Sequence, residues 1–469
     1  MFTQAQEVFA FIEAQAVEFV DIRFADLEGV WQHFTMPVSG FGQDAFEEGL
    51  GFDGSSIKGF QTIEASDLLL FPDPSTAFLD PFTEDKTLVL AADISDPRTS
   101  KAYPKDPRGV ARRAEAYLRE TGTADTFFVG PEAEFFIFDS VSFSTNPYSF
   151  GFKFEACDAH TDGDAPSDGY WIKNKSGYFP CAPSDKLQNL RSRMVKNLEA
   201  VGIPVEKHHH EVATAGQTEI DLKFDSLLNM ADKVVKYKYI VRNTAVAAGK
   251  TATFMPKPIY GDNGSGMHVH MSLWKDGNTL MYDEQGYAQL SEMAMHFAAG
   301  IFEHACALAA FTNPTFNSYR RLIRGFEAPV NLLVSASNRS AIIRVPGYAL
   351  SPKAKHYEYR GPDPTANPYL AFSGLLMAGL DGVKRKLGPP PTTDRDLFDM
   401  SPEELAKIRQ LPESLADAIA ALEADHEFLL EGGVFDQGLI DSYIALKRGE
   451  IEQVRQHPNP IEFDLYFDL

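Results

Sequence analysis

Carboxylate and imidazole side chains that could bind a metal are concentrated in four short segments of this sequence. In PEAEFF, Glu132 and Glu134 are two residues apart, so on a strand their side chains leave the same face. In HEVATAGQTE, Glu211 and Glu219 belong to two runs that are joined by a short turn. The other two segments, MHVHMS and HYEYRGPDP, contribute His268, His270, Ser272 and Glu358.

The chemistry that these residue types favour is the binding of a divalent cation. Glu134 precedes Phe135 and Phe136, and a carboxylate buried beside such side chains is unfavourable unless its charge is compensated. A set of ligands rich in carboxylate and poor in imidazole suits Mg²⁺ or Mn²⁺ better than zinc. The spacing leaves a second interpretation open, in which each acid is a surface residue on an edge strand.

Magnesium in enzymes usually accompanies phosphate, and the sequence offers cations that could bind it. Guanidinium groups match the geometry of carboxylate and phosphate. The nearest approach to a P-loop, TAVAAGKT, has Thr244 where the first glycine belongs, and the glycines of GDNGSG are not in the dinucleotide-binding order. The residues therefore indicate a magnesium-dependent enzyme that acts on phosphates and a carboxylate, with an arginine–glutamate surface network as the alternative. The basic residues concerned are Arg320, Arg321, Arg324, Arg339, Arg344, Lys353, Lys355 and Arg360.

Two further features are predicted to be structural. The histidines at 208–210 are consecutive, so on a strand at most two of them can share a site, and we favour a structural role for all three. Cys157, Cys181 and Cys306 are odd in number and widely spaced, which fits neither a disulfide framework nor a zinc pair. We expect these cysteines to be small buried residues in a reducing compartment.

The pattern of elements around these segments predicts an α+β protein with two domains. VEFVDIRF alternates apolar and polar residues, as a half-buried strand does, and a helix over about Val8 to Ala14 precedes it. The turn-rich stretch DPRTSKAYPKDPRG places a boundary near Tyr103 to Pro107. We therefore expect a small β-containing domain over residues 1–104 and a larger domain of helices and antiparallel strands over residues 105–469.

Charge and hydropathy exclude several kinds of partner. The 469 residues include 43 Lys and Arg against 66 Asp and Glu, a formal charge of −23. An acidic surface repels nucleic acid and anionic lipid, so we expect neither a nucleic acid nor a membrane partner. No run reaches the ~18 apolar residues of a membrane span. The N-terminal helix carries Glu7 and Glu13 rather than the basic residues of a signal peptide, which predicts a cytoplasmic protein.

Longer segments, in this order, resemble those of type I (bacterial) glutamine synthetase. They are FDGSS (52–56), PEAEFF (131–136), HHHEVATAGQTEID (208–221), KPIYGDNGSGMHVHMS (257–272), FEAPV (326–330), NRSAIIRVPG (338–347) and EYRGPDPTANPYLAF (358–372). The resemblance spans essentially the whole chain. It implies a small N-terminal β-grasp domain and a large C-terminal catalytic α+β domain. It also implies a homododecamer of two hexameric rings, in which the N-terminal domain completes the active site of the neighbouring subunit.

The resemblance also implies a reaction and its cofactors. Members of the family make glutamine from glutamate, ammonium and ATP through γ-glutamyl phosphate, with two or three Mg²⁺ (or Mn²⁺) ions per active site. Carried over residue by residue, one metal would be held by Glu134, Glu211 and Glu219, and another by Glu132, His268 and Glu358. Arg339 and Arg344 match the arginines that stabilise phosphoryl transfer.

The same resemblance assigns the substrate positions. Arg321 and Arg360 match contacts to the glutamate carboxylate, with Asn263 and Gly264 at its amino-acid end. In the ammonium pocket a negative site selects NH₄⁺ and a carboxylate accepts its proton. That pocket corresponds to Asp53, Ser56, Tyr178 and Glu327, and the ATP-binding positions to Glu206, Phe224, His270, Ser272 and Lys353.

Three positions depart from the patterns of the family. The loop that carries a modified tyrosine in adenylylated members reads DLFDMSPEE here, with Phe398 in its place, so we expect no adenylylation of this loop. Phe326 replaces a frequent tyrosine before Glu327, and Thr62 stands where feedback-inhibited members of another subgroup carry arginine. None of the three is a predicted metal ligand.

Two other functions are alternatives at this point. A relative that ligates glutamate to a polyamine or ethanolamine needs a roomier and less acidic amine pocket, whereas Asp53, Tyr178 and Glu327 are all present here. A non-enzymatic homologue with a structural or regulatory role should have lost metal ligands or phosphate-binding arginines, and here each of them is present.

Overall fold

The computed structural model describes residues 2–159, 168–323, 328–336, 338, 341–349, 351–395, 400, 402–405 and 407–467. Two seven-stranded sheets organise these residues, one formed by the N-terminal strands and one by later strands. Helices accompany both sheets, so the predicted α+β class is confirmed.

The first sheet is built from the N-terminal strands. They are β1 (Phe19–Ala25), β2 (Trp31–Pro37), β3 (Leu50–Asp53), β4 (Asp67–Pro72), β5 (Phe78–Leu79), β6 (Thr87–Asp96) and β7 (Lys101–Ala102). Their order is β2-β1-β6-β4-β3, with β5 and β7 also paired to β6. β1 and β6 are parallel, which places the first strand beside the longest one in the centre of the sheet. Helices α1 (Ala5–Gln15) and α2 (Asp44–Glu47) belong to the same region.

The polar face of β1 is buried, so the prediction of a half-buried strand is wrong. Arg23 forms ion pairs with Asp21 and Asp80, each at 2.6 Å. Its guanidinium carbon lies 4.2 Å from the ring centroid of Tyr239, a residue more than 200 positions later in the chain. The alternation of apolar and polar residues therefore marks a strand whose charged side chains are paired with one another rather than exposed to water.

The second sheet carries most of the candidate site. The later strands are β8 (Thr126–Ala133), β9 (Phe136–Phe138), β10 (Ser140–Asn146), β11 (Ser149–Glu155), β12 (Val205–His210), β13 (Thr218–Leu222), β14 (Asp225–Ser226), β15 (Thr251–Thr253), β16 (Met267–Lys275), β17 (Asn278–Thr279), β18 (Asn331–Ser335), β19 (Ala341–Arg344) and β20 (Tyr357–Tyr359). The sheet order is β14-β8-β16-β20-β19-β18, with β17 paired to β16. Three two-stranded pairs, β10–β11, β12–β13 and β9–β15, lie outside it.

Helices complete the second region. They are α3 (Pro107–Glu120), α4 (Gln188–Ala200), α5 (Leu227–Ala247), α6 (Glu292–Glu303), α7 (Ala305–Thr312), α8 (Ser318–Arg321), α9 (Pro368–Arg385), α10 (Pro402–Leu405), α11 (Leu415–Ala424), α12 (Glu427–Leu430), α13 (Gln437–Arg455) and α14 (Pro460–Tyr466). α9 is buried along most of its length. It begins where Asn367 accepts a hydrogen bond from the Tyr369 N–H and Pro368 occupies the first turn, and it ends at Lys386 in the left-handed conformation.

The most apolar helical run of the sequence is bent. α6 and α7 meet at His304 at an angle of 75°. Across the described part of the chain, no single helix has both the length and the hydropathy of a membrane span, and α6 with α7 meets those criteria only as a bent pair.

A group of charged residues joins the two regions near the predicted domain boundary. Arg108, at the start of α3, contacts Asp73 at 2.8 Å, Asp93 at 2.5 Å and Asp232 at 2.9 Å. Arg112, one helical turn later, contacts Asp73 and Asp93. We call these five residues the junction cluster. It connects strands of the first sheet to α3 and α5 through ion pairs that are almost completely buried at Arg108.

Candidate active site

The six predicted metal-binding residues line one cavity of about 390 Å³, which we call the carboxylate cavity. Adjacent strands of the second sheet provide part of its wall, because the register sets Glu132 of β8 opposite His268 of β16 and sets Glu358 of β20 opposite His270. The β12–β13 pair provides another part. The six residues are Glu132, Glu134, Glu211, Glu219, His268 and Glu358.

Glu132, His268 and Glu358 form the first half of the carboxylate cavity. One ligand atom from each lies within 4.8 Å of the others, and His268 Nδ1 is 3.3 Å from Glu132 and 3.6 Å from Glu358. Burial disfavours the charged carboxylates, but His268 and His270, joined at Glu358 by Arg360 and Arg344, outweigh it, so the pKa of both acids is lowered. Oε2 of Glu358 accepts a hydrogen bond from Arg344 Nε at 2.5 Å, while Oε1 is the oxygen nearest His268.

Glu134, Glu211 and Glu219 form the second half and are compensated less well. Burial raises the pKa of Glu211 to about 7 and that of Glu134 and Glu219 well above the usual value. Repulsion from neighbouring carboxylates adds to the effect of burial. Carboxylate oxygens with one or two imidazoles are the donor set that Mg²⁺ and Mn²⁺ prefer, and on this side the ligand atoms within 4.8 Å of one another belong to His209, Glu219 and Asp221. Among the described residues, the predicted set of Glu134, Glu211 and Glu219 therefore shares one cavity, but of the three only Glu219 belongs to that close group.

His209, for which a structural role was predicted with the rest of the histidine run, lies in the carboxylate cavity and belongs to a group that could hold a metal ion. Its ring nitrogens are 3.5 Å from Glu211 and 3.3 Å from Glu219. His210 is buried and contacts Asp158 at 2.9 Å, and His208 lies beside Arg191 and Ser192. The two-residue spacing between His209 and Glu211 is the signal that could have revealed their shared face.

Two buried side chains that the sequence did not single out hold the walls of the cavity together. Gln217 donates from Nε2 to Glu134 at 2.9 Å and to the Gly264 carbonyl at 3.1 Å. Asp262 accepts hydrogen bonds from the backbone N–H groups of Asn263, Lys175 and Thr214 at 2.9 to 3.2 Å. Gln217 thus positions a predicted metal ligand, and Asp262 links the loops that carry Tyr178, Glu211 and Asn263.

The predicted glutamate-binding residues line the same cavity. Arg321 is buried, and its guanidinium donates to the carbonyls of Gly361 at 2.9 Å and Pro362 at 3.2 Å. A Cβ atom on Gly264 would come within 2.5 Å of the Pro256 carbonyl, so only glycine fits this close approach. Tyr178, Asn263, Gly264, Arg321, Arg344 and Arg360 all contribute to the lining.

A second cavity of about 280 Å³, which we call the nucleotide cavity, adjoins the first. The ring of Phe224 is 52% exposed and packs edge-on against Phe128, with centroids 5.3 Å apart. Ser272 accepts a hydrogen bond from Trp274 Nε1 at 2.9 Å. The five predicted ATP-binding residues, Glu206, Phe224, His270, Ser272 and Lys353, all line this cavity.

Four predicted site residues are not placed in either cavity. Asp53 and Ser56 lie at the end of β3, hydrogen-bonded to each other at 2.9 Å, and line neither cavity. Glu327 and Arg339 lie outside the described residues, as do Phe326 and Phe398. Among the cysteines, Cys181 is exposed and the other two are partly buried, so the prediction of small buried residues is wrong for Cys181.

Comparison with known proteins gives the same family over both regions. The family model described as "Glutamine synthetase, catalytic domain" matches residues 104–466, and the one described as "Glutamine synthetase, beta-Grasp domain" matches residues 16–97. Glutamine synthetases of Streptomyces coelicolor and Mycobacterium tuberculosis are 54% and 53% identical to the chain; the first alignment covers 100% of both chains, the second 99% of this chain and 98% of the relative.

Solved structures agree with the sequence comparison. Plasmodium falciparum glutamine synthetase matches with a TM-score of 0.91 and 31% identity over 99% of both chains. A GmaS–ADP complex matches with a TM-score of 0.81 and 28% identity over 100% of both chains. The β-grasp and catalytic domains, the arrangement of the second sheet and these relatives together show that the chain belongs to the glutamine synthetase family.

Proposed function

We propose that this chain ligates ammonium to the γ-carboxylate of glutamate, consuming ATP and giving glutamine, ADP and phosphate. The observation that carries the proposal is the juxtaposition of the carboxylate cavity and the nucleotide cavity, which share Glu132 in their walls. The first cavity contains the predicted glutamate-binding arginines and the second the predicted ATP-binding residues. Curated relatives named glutamine synthetase, 52–54% identical over nearly the full length, support the same reaction.

The side chains of the chain itself have separable roles in this reaction. Arg321 and Arg360 bind the glutamate carboxylate, and Phe224 and Lys353 bind the nucleotide. Arg344 lies in the carboxylate cavity beside Glu358, where its guanidinium can neutralise charge on the transferred phosphoryl group. When bound, Mg²⁺ or Mn²⁺ offsets the negative charge of the phosphates and of glutamate, and the predicted ligands would hold two or three ions per active site.

We further propose that Asp53 and Ser56 complete the carboxylate cavity of a neighbouring subunit in a homododecamer of two hexameric rings. Both residues are outside the cavities of their own chain, and hydrogen bonds from Ser55 and Ser56 lower the pKa of Asp53 and keep it ionised. An ionised Asp53 suits the binding of NH₄⁺ by charge, and its carboxylate is the group that would accept the proton as nitrogen attacks. We also infer a domain boundary at residues 104/105 and a cytoplasmic location.

A complementation experiment tests the shared active site. Asp53→Ala subunits, which should use ammonium poorly, and Glu358→Ala subunits, which should be nearly inactive, are mixed, dissociated and reassembled, and phosphate release is measured at an ammonium concentration too low for Asp53→Ala alone to turn over. If sites form between subunits, mixed oligomers contain sites with an intact Asp53 from one chain and an intact Glu358 from its neighbour, and activity returns. Mixtures that stay inactive while the oligomer re-forms would show that each chain builds its site alone.

The reaction itself is tested by phosphate release from the purified protein with glutamate and ATP. Ammonium is compared with ethanolamine and polyamines, because these are the substrates of the alternative γ-glutamyl-amine ligases. We expect turnover with ammonium at concentrations where the other amines give little. Turnover that appears only with a larger amine would replace the proposed function with that of a γ-glutamyl-amine ligase.

A further inference from the structure

The carboxylate cavity and the nucleotide cavity meet along a seam formed by the three residues that line both. These are Glu132, Lys207 and Tyr348, and within the described part of the chain Lys207 is the cation among them. Under the proposed function, a phosphoryl group leaves ATP in one cavity and reaches glutamate in the other. It must therefore cross this seam, where a positive charge would lie beside the phosphate chain.

A β-bulge directs Lys207 into the seam. Val205 of β12 pairs with Leu222 of β13, and Lys207 pairs with Asp221, which leaves Glu206 as an extra residue between them. Consecutive residues on a regular strand point to opposite faces, yet Glu206 and Lys207 both line the nucleotide cavity. Bulges re-aim side chains in this way and occur frequently beside active sites.

Asp221 anchors the Nζ ammonium group of Lys207 without enclosing it. Oδ2 of Asp221 pairs with Lys207 Nζ, while its buried Oδ1 has no hydrogen-bond partner among the described residues. The carboxylate is nearly completely buried, but the Lys207 side chain is 56% exposed and borders both cavities. An ammonium group has three N–H donors, so Lys207 can keep its bond to Asp221 and donate to another acceptor as well.

We propose that Lys207 is a nucleotide-binding residue that holds the phosphate chain of ATP at the seam between the two cavities. This inference rests on the proposed function for the presence of ATP. The competing explanation is that Lys207 only neutralises Asp221. The two explanations differ in whether binding of the β- and γ-phosphates of ATP requires Lys207.

The experiment compares the binding of ATP and of AMP to full-length variants by calorimetry, with Mg²⁺ present and glutamate absent. Lys207→Met keeps the length of the side chain and removes its charge, and Lys207→Gln provides a second, polar replacement. Lys207→Arg retains the charge. Lys233→Met is the matched control, because Lys233 also pairs with an aspartate, Asp225, but lines neither cavity.

We expect Lys207→Met and Lys207→Gln to weaken ATP binding by roughly tenfold or more, the effect of a charge-assisted hydrogen bond, with AMP affinity changed by less than about threefold. Lys207→Arg should restore most of the ATP affinity, and Lys233→Met should bind both nucleotides like the wild type. Unchanged ATP binding, or equal losses for ATP and AMP, would overturn the inference. Because no turnover is measured, failure of the proposed ligation would appear in the amine-panel experiment and not in this one.

Discussion

The junction cluster and the second half of the carboxylate cavity both bring three carboxylates together where water has little access, but only the junction cluster supplies enough positive charge from the chain itself. Arg108, whose side chain is 3% exposed, contacts Asp73, Asp93 and Asp232. Burial opposes ionisation of Asp73, yet Arg108 and hydrogen bonds from Ser75 outweigh it and lower the pKa of this acid to about 2.

In the second half of the carboxylate cavity the balance is reversed. Burial and mutual repulsion raise the pKa of Glu134, Glu211 and Glu219. The junction pairs three aspartates with two arginines, whereas the cavity leaves these three glutamates without comparable positive charge. The difference indicates that the junction carboxylates stabilise the fold, whereas the cavity carboxylates are arranged for a bound cation.

The largest effect is expected from the cavity. Glu132→Ala or Glu358→Ala should reduce turnover to below about a thousandth of the wild-type value, because each change removes charge from the face that binds the cation and phosphate. Steady-state phosphate release measures the loss, and size-exclusion chromatography should show an assembled oligomer. Near-normal activity of either variant across a Mg²⁺ titration would contradict the ligand assignment.

At the junction, the expected loss is one of stability. Arg108→Met leaves three aspartates without their shared partner, which should lower the free energy of unfolding by about 3–5 kcal/mol. Urea unfolding followed by circular dichroism measures this change. Arg112→Met is the control, since Arg112 contacts two of the same aspartates but is about half exposed, and it should lose less than about 1 kcal/mol. Equal losses for both variants would show that burial of Arg108 is not the reason for its effect.

Asp53 belongs to neither group and provides a smaller test. Its hydrogen bonds come from serine groups, and it lies outside both cavities of its own chain. Asp53→Ala should weaken the use of ammonium by about 10- to 100-fold while changing the KM for ATP little, since the lost role belongs to the amination step. The same KM for ammonium together with the same turnover as the wild type would exclude Asp53 from that step.

Much of this architecture follows from sequence patterns that act over short distances. The alternation in MHVHMS predicts that His268 and His270 share a face, and the two-residue spacing in PEAEFF predicts the same for Glu132 and Glu134. The structure places all four side chains on the two adjoining cavities. The spacing does not predict which of these faces come together; that prediction comes from the resemblance to the family. Their roles in metal and nucleotide binding stay predictions that the variants above test.

What the sequence did not predict depends on partners that are distant in the chain. The alternation in β1 identifies its polar face, but Asp80 and Tyr239, which bury that face, lie in other elements. The β12 bulge depends on pairing with β13, so the shared direction of Glu206 and Lys207 is not visible in either strand alone. No sequence pattern distinguishes Gln217, and it acts as a positioning residue only because Glu134, 83 residues earlier, lies beside it.

The smallest expected effect concerns the pH dependence of the junction cluster. The pKa of Asp73 is lowered to about 2 in the folded chain, because Arg108, with hydrogen bonds from Ser75, outweighs the opposing effect of burial. A carboxyl group with a lowered pKa contributes stability that is fully present above its unfolded value near 3.9 and is lost as the pH falls through about 2. Asp73→Asn removes this contribution at every pH. The variant should therefore be less stable than the wild type by on the order of 1 kcal/mol at pH 5, after allowance for solvent screening, and the difference should narrow between about pH 4 and pH 2.

Thermal unfolding followed by circular dichroism at several pH values in this window measures the difference between the two proteins. Asp283→Asn is the matched control, because Asp283 accepts a hydrogen bond from the N–H two residues later, as Asp73 does from Ser75, but it has no ion pair among the described residues. The difference in stability between Asp283→Asn and the wild type should not narrow between about pH 4 and pH 2. If the Asp73→Asn difference stays constant from pH 5 to pH 2, then Arg108 does not hold this carboxyl group in its charged form. The distinction between an internally neutralised junction and an under-compensated cavity would then lose its electrostatic basis.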